Sequence, residues 1–159
     1  MLPCNWRAGL AEVVEQGVFV TPPVDGWSYA VGRDVAVLTA DPEQIEASVV
    51  ALSAEFGEAY WFAADDGREV YGWARGERGH CTRAYAFAEE TGPFLWFGEV
   101  TDAERQLGCF VDDPRDRSDD EVKWWPDRAV VCAVAGLWAA DPSQIGGPDE
   151  SSAGLVGRC

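Results

Sequence analysis

The sequence predicts a single α+β domain over residues 1–145, built on an antiparallel meander sheet of about five to six strands with helices packed on one face. An aromatic segment from Glu58 to Glu89 alternates large and small residues, as half-buried strands do. Stretches with helical spacing lie on both sides of that segment in the chain. Residues 146–159 are rich in Gly and Ser without periodicity, which predicts a flexible C-terminal tail.

The residues before the aromatic segment predict one short helix and several strands. Apolar spacing indicates a helix over Trp6–Gln16 that ends at Gly17. Val18–Val20 and Trp27–Val31 are predicted strands because turn residues separate them. Val35–Leu38 is a candidate to extend the same sheet.

A longer helix is predicted to begin at Asp41. Asp41 is a favourable N-cap, and Pro42 suits the first helical position because that position needs no backbone N–H donor. The helix is expected to end at Gly57. Its apolar face comprises Ile45, Val49, Leu52 and Phe56. We expect this helix to cover one face of the sheet.

The pair Asp66-Gly67 predicts a tight turn between the first two strands of the aromatic segment, because this dipeptide suits a two-residue hairpin loop. A turn centred there sets the register of the hairpin. The predicted partners are Tyr60 with Trp73, Phe62 with Tyr71, and Trp61 with Gly72.

A second hairpin is predicted to be centred near Gly79. Its predicted partners are Trp73 with Tyr85, Tyr71 with Phe87, and Arg75 with Arg83. One face of the sheet then carries the large aromatic residues Tyr60, Phe62, Tyr71, Trp73, Tyr85 and Phe87. The other face carries Trp61 and the small residues Ala59, Ala63, Val70, Gly72, Ala74, Ala84, Ala86 and Ala88. The small face suits close helix packing, whereas the aromatic face is either a second core layer or a binding surface.

Further elements follow the aromatic segment. Phe94–Val100 is a predicted strand, and Thr101 is predicted to cap a short helix because Glu104 stands at capping-box distance. Asp127 is predicted to cap a helix that continues through Trp138. The apolar stripe of that helix comprises Val130, Val131, Val134 and Leu137.

The charge balance excludes some classes of partner. The 159 residues include 28 acidic and 12 basic side chains, which gives a net charge of −16. Such a chain is unsuited to neutralising phosphates, so we expect no nucleic-acid partner. The sequence contains neither a long apolar run nor a secretory pattern at its start, so we expect no membrane association and a cytoplasmic location. The five cysteines are widely scattered, so we expect neither a disulfide framework nor a metal site.

Protein binding is the function that the sequence favours. An acidic segment can hold or steer a basic partner, and the two tryptophans that follow it can anchor an interface. The two indoles could equally belong to the core. The hypothetical partner-binding residues are Asp112, Asp113, Asp116, Asp119, Asp120, Glu121, Trp124 and Trp125.

Two other functional classes stay open. A small-molecule or enzymatic domain would use Trp73, Arg75, Arg83 and Tyr85 to bind an anion, although internal ion pairs with Glu58 or Glu89 would explain the arginines equally well. A structural or regulatory domain without a stable partner would need its charge for solubility alone. No catalytic motif is recognisable, so we predict no enzyme, no catalytic residue and no cofactor.

Several short segments resemble small uncharacterised bacterial acidic proteins, some of which are associated with immunity to polymorphic toxins. The segments are Gly26-Trp27, Phe56-Gly57, Trp73-Ala74-Arg75, Arg83-Ala84-Tyr85, and Trp138 with Asp141-Pro142. The resemblance covers about two thirds of the chain and includes no catalytic motif, so no functional residue is transferred from it. It implies a non-enzymatic, immunity-type inhibitor of a basic partner protein.

Overall fold

The computed structural model divides the chain into two compact units, residues 41–141 and residues 1–40 with 142–159. The residues that the structure describes are 2–5, 11, 13, 17–24, 26–32, 35, 41–110, 125–142 and 153–157. Both units contain an antiparallel sheet, and the fold class is α+β, as predicted. The prediction of one sheet of five to six strands is wrong, because the strands form two separate sheets.

The unit 41–141 is built on a meander of consecutive strands. Its strands are β4 (Glu58–Asp65), β5 (Val70–Glu77), β6 (His80–Ala88) and β7 (Gly92–Phe97). They lie side by side in chain order. The described helices of this unit are α1 (Pro42–Phe56), α2 (Asp102–Gln106) and α3 (Arg128–Trp138).

The predicted register of the first hairpin is wrong. Tyr60 pairs with Arg75 and Phe62 pairs with Trp73. The physical reason is the turn, which spans Asp66–Glu69 instead of two residues. Glu69 adopts a positive φ of 53° at the end of this turn. The register differs from the predicted one by two residues, and an even difference leaves every side chain on its predicted face of the sheet.

The second hairpin has the predicted pairs. Tyr71 pairs with Phe87, and Arg75 pairs with Arg83. Trp73 pairs with Tyr85. A bulge then follows Arg75, and the strands close through a turn at Arg78 and Gly79, both of which have positive φ.

Helix α1 covers the small face of this sheet, as predicted. Asp41 caps it by accepting hydrogen bonds from backbone N–H groups, the shorter of them 3.0 Å from Glu43, and Gly57 ends it with φ 89°. Ile45 and Val49 are buried. They pack with Trp61, Ala63, Ala74, Ala84 and Ala86. The alanines allow the helix to approach the strands closely.

The aromatic face of the sheet is a second core layer. Trp73, Tyr85 and Phe87 are buried there with Val131 and Val134 of α3. Helices therefore pack on both faces, which corrects the prediction of helices on one face. Asp127 caps α3 as predicted, and its carboxylate accepts from the Val130 N–H at 2.8 Å. Leu137, assigned to the apolar stripe, is instead exposed.

The strands of the second unit are β1 (Leu2–Asn5), β2 (Val18–Val20), β3 (Ala30–Val31) and β8 (Ala153–Gly157). They form a sheet in the order β1-β8-β2-β3. Phe19 and Val156 are buried together with Val13, and Val31 packs against them. The prediction of a flexible tail is wrong for 153–157, because β8 pairs with both β1 and β2. Its backbone hydrogen bonds come from strands distant in sequence, which local composition does not reveal.

Other predictions for the second unit have mixed outcomes. Val18–Val20 is a strand, as predicted. Only the end of Trp27–Val31 is a strand, because Trp27 instead forms an isolated bridge with Val24. Most of the predicted helix Trp6–Gln16 and of Val35–Leu38 lies outside the described residues. No helix in the described part of the chain is long and apolar enough to cross a membrane.

Candidate functional site

The predicted partner-binding surface is described only at its last residue. Its acidic residues and Trp124 lie outside the described residues. Trp125 is described, and its side chain has 51% of its surface exposed. Its indole ring contacts the Phe87 ring edge to face, with 5.0 Å between the ring centroids. Trp125 therefore presents an exposed indole ring that packs against the buried ring of Phe87.

The exposed indole lines a cleft of about 290 Å³, which we call the Trp125 cleft. Its lining residues are Glu69, Tyr71, Phe87, Glu89, Trp125 and Pro126. The paired strands β5 and β6 place Tyr71 opposite Phe87. The turn before β5 supplies Glu69, and the turn after β6 supplies Glu89. Three aromatic rings and two carboxylates thus share one concave surface.

The two carboxylates of the cleft influence each other. The backbone N–H of Glu89 donates to the Glu69 carbonyl at 3.2 Å, which holds their main chains together. Hydrogen bonding to the Glu89 side chain, and its negative charge, raise the pKa of Glu69. A cation that lies near both carboxylates would offset the repulsion between them.

A polar link holds the rim of the cleft in place. The Tyr71 hydroxyl donates to Asp66 Oδ1 at 3.2 Å. Arg128 donates to Asp66 Oδ2 from Nε at 3.0 Å, and its Nη2 lies 2.9 Å from the same oxygen. The start of α3, close in sequence to Trp125, is thereby joined to the turn that supplies Glu69.

The alternative ligand-binding residues are mostly inaccessible. Trp73, Arg83 and Tyr85 each have at most 2% of their surface exposed. Arg75 is partly exposed and forms an ion pair with Glu77, with Nη2 2.7 Å from Oε1. A ligand in solution cannot reach the three buried side chains in this structure. The prediction that all four residues form a binding surface is therefore wrong.

The role of Arg83 is internal. Its Nε donates to Glu104 Oε1 at 2.8 Å, and its Nη1 donates to the carbonyls of Ala84 and Phe97 at 3.1 and 3.0 Å. Its Nη2 lies 2.8 Å from Glu104 Oε1 without hydrogen-bond alignment. The predicted ion pairing of the arginines is correct in kind. Its partners are wrong, because Glu104 and Glu77 replace Glu58 and Glu89.

Glu104 is a central residue of the core that the sequence prediction recognised only as a helix cap. It forms the predicted capping box with Thr101, whose backbone N–H donates to Oε2. The same carboxylate accepts from Trp73 Nε1 at 2.8 Å and from Arg83. The capping box predicts that the Glu104 side chain reaches back to the start of its helix, but nothing local indicates Arg83 or Trp73 as its partners.

The thiol of Cys109 lies beside this network and is predicted to be inert. Burial, with the charge of Glu104, raises the pKa of Cys109 to about 12. Native protein at pH 8 should therefore leave Cys109 unmodified by iodoacetamide, whereas denatured protein should be modified, as peptide mass spectrometry would show. Because the pKa is raised on folding, the thiol's contribution to stability is complete below its ordinary value near 9 and is lost as the pH rises toward 12. Rapid native modification would contradict this prediction.

His80 and Cys81 are neighbours at the start of β6. His80 is exposed at the start of β6, and burial raises the pKa of the neighbouring Cys81. Within the part of the chain that the structure describes, no group of three or more His, Cys, Asp or Glu residues could hold a metal ion.

Comparisons with family models, curated proteins and solved structures find no match to this chain.

Proposed function

We propose that this chain is a non-enzymatic protein-binding module that holds a basic partner protein at the Trp125 cleft. The exposed indole of Trp125 beside two carboxylates is the observation that carries the proposal. Tryptophans that anchor interfaces contribute a large share of the binding free energy, because they bury much apolar surface in one contact. Phe87 supports the indole from below.

The charge of the chain supports a basic partner. A net charge of −16 accelerates the encounter with a positively charged protein and slows the encounter with an acidic one. The acidic segment 112–121 ends three residues before Trp124 in the sequence, and we assign it to this steering role. Inhibition of a basic toxin, which the resemblance implies, would be one form of this activity.

Replacement of Trp125 by alanine should abolish most of the partner binding. A tagged chain would be incubated at low salt with lysate of the organism that encodes it, and companions would be released with a salt gradient and identified by mass spectrometry. For the purified companion, we expect Trp125→Ala to raise Kd by about thirtyfold or more, as loss of an interface anchor does. Calorimetry would measure Kd.

Leu137→Ala is the matched control, because Leu137 is also a large apolar residue with 46% of its surface exposed. It should leave Kd unchanged. Circular dichroism would confirm that both variants are folded. The proposal fails if no basic companion is enriched over an untagged control, or if Trp125→Ala and Leu137→Ala bind the companion equally well.

A further inference from the structure

We infer that the Trp125 cleft accepts one arginine side chain of the partner, with its guanidinium stacked on the aromatic rings and hydrogen-bonded to Glu69 and Glu89. This inference rests on the proposed function, since it names the chemical group that the same cleft would recognise. Binding of one arginine side chain in the cleft is a more specific interaction than general attraction between acidic and basic proteins.

The lining of the cleft is complementary to a guanidinium. Aromatic faces attract cations, and carboxylates accept paired hydrogen bonds from arginine. Among the described residues that line the cleft, none is basic. Arg128, the first residue of α3, is held by Asp66 through Nε and Nη2. No described residue of the lining therefore supplies a cation to Glu69 or Glu89 at the cleft surface.

The same chain contains this arrangement in its interior. The Arg83 guanidinium lies 4.4 Å from the centroid of the Trp96 ring while it pairs with Glu104. The aromatic ring and the carboxylate together hold a planar cation in a position from which water is excluded. An aromatic ring beside a carboxylate is thus a demonstrated guanidinium site in this protein.

A second example occurs nearer the surface. The Arg75 guanidinium lies 5.6 Å from the centroid of the Tyr60 ring and pairs with Glu77. This side chain is partly exposed, so the combination also holds an arginine in contact with water. The Trp125 cleft offers the same two kinds of group, with one more carboxylate.

Arginine fits the cleft better than lysine for two reasons. Its planar guanidinium stacks on a ring while its N–H groups remain free to donate in the plane of the guanidinium, and it is more weakly hydrated than an ammonium group. Its several donors can also bind two carboxylates at once, as the pair Glu69 and Glu89 requires.

The test uses Nα-acetyl-arginine amide as the probe and the full chain labelled with ¹⁵N at its indole nitrogens. Each of the eight tryptophans contributes one indole N–H signal, and Trp125→Phe assigns the signal of Trp125. We expect that signal to shift saturably with the arginine probe. Nα-acetyl-citrulline amide, which has the same shape without the charge, should bind at least tenfold more weakly. An unmoved Trp125 signal, or equal shifts with both probes, would overturn the inference.

Substitution of Glu69 and Glu89 tests whether their carboxylates bind the arginine probe. The double variant Glu69→Gln with Glu89→Gln should weaken binding of the arginine probe by about tenfold, the effect of losing two exposed ion pairs. Glu90→Gln is the matched control, because Glu90 is exposed next to Glu89 but does not line the cleft. The remaining indole signals report whether each variant is folded. Equal binding by the double variant and the control, or tighter binding of Nα-acetyl-lysine amide, would contradict the assignment.

The companion protein separates this inference from the proposed function. If the companion requires Trp125 but tolerates the double glutamine variant, the module binds its partner there without an arginine in the cleft, and the inference alone fails. If the arginine probe binds as expected but no basic companion exists, the cleft has its assigned chemistry and the protein-binding function fails.

Discussion

Replacement of Glu104 by alanine should destabilise the folded chain by about 3–5 kcal/mol, because it leaves the Arg83 guanidinium buried without a counter-ion. Arg83 has 1% of its surface exposed, and Glu104 is fully buried. Trp73 Nε1 would also lose the acceptor that now lies 2.8 Å away. A buried charge and a buried donor would both be left without their partner.

Urea denaturation, followed by tryptophan fluorescence, would measure this loss of unfolding free energy. Asp102→Ala is the matched control because it removes a carboxylate of the same helix that is fully exposed and pairs with Arg105 at the surface. We expect the control to change stability by about 0.5 kcal/mol or less. A loss below about 1 kcal/mol for Glu104→Ala would contradict a central role for the buried pair.

A double variant can distinguish the charge from the packing. Arg83→Met removes the buried cation. Glu104→Gln keeps one acceptor oxygen for Trp73 Nε1, while its NH2 group replaces the oxygen that accepts from the Thr101 N–H. The double variant should therefore be more stable than Glu104→Gln alone, since a buried pair replaced together costs less than a pair broken on one side. A double variant that is less stable than either single variant would refute this explanation.

The parts of the fold that the sequence predicts correctly are those that neighbouring residues determine. The boundaries of α1 follow from Asp41, Pro42 and Gly57, whose roles depend on local backbone geometry. The register of the second hairpin also followed, because Gly79 marks its turn. The predicted register of the first hairpin was wrong because its turn has four residues and not the expected two. The alternation of faces survived, since it depends only on the parity of the register.

The candidate site was only partly predictable. Trp125 was proposed as an anchor, and the pairing of Tyr71 with Phe87 was correct. The roles of Glu69 and Glu89 were missed because both depend on how the turn before β5 and the turn after β6 meet. The pairing of β8 was missed for a similar reason, since its partners lie at the other end of the chain. Contacts between distant segments leave no local pattern to detect.

Replacement of Gly76 by alanine should destabilise the fold by about 1–3 kcal/mol, because the added methyl group would overpack the contact between β5 and α1. A Cβ atom at this position would clash with the carbonyl oxygen of Val49 and would lie 2.8 Å from its carbonyl carbon and 2.9 Å from Ser53 Oγ. Backbone atoms of a helix cannot yield individually, so α1 would have to move. Urea denaturation would measure the loss.

Gly67→Ala is the matched control for this substitution. Gly67 lies in the turn between β4 and β5, and the nearest atom to an added Cβ would be Asp65 Oδ1 at 3.4 Å. Alanine should be accommodated there with a change of about 1 kcal/mol or less, since no backbone blocks it. If Gly76→Ala were as stable as Gly67→Ala, the close approach of α1 would not depend on a missing side chain. The small face of the sheet would then owe its helix to hydrophobic burial alone.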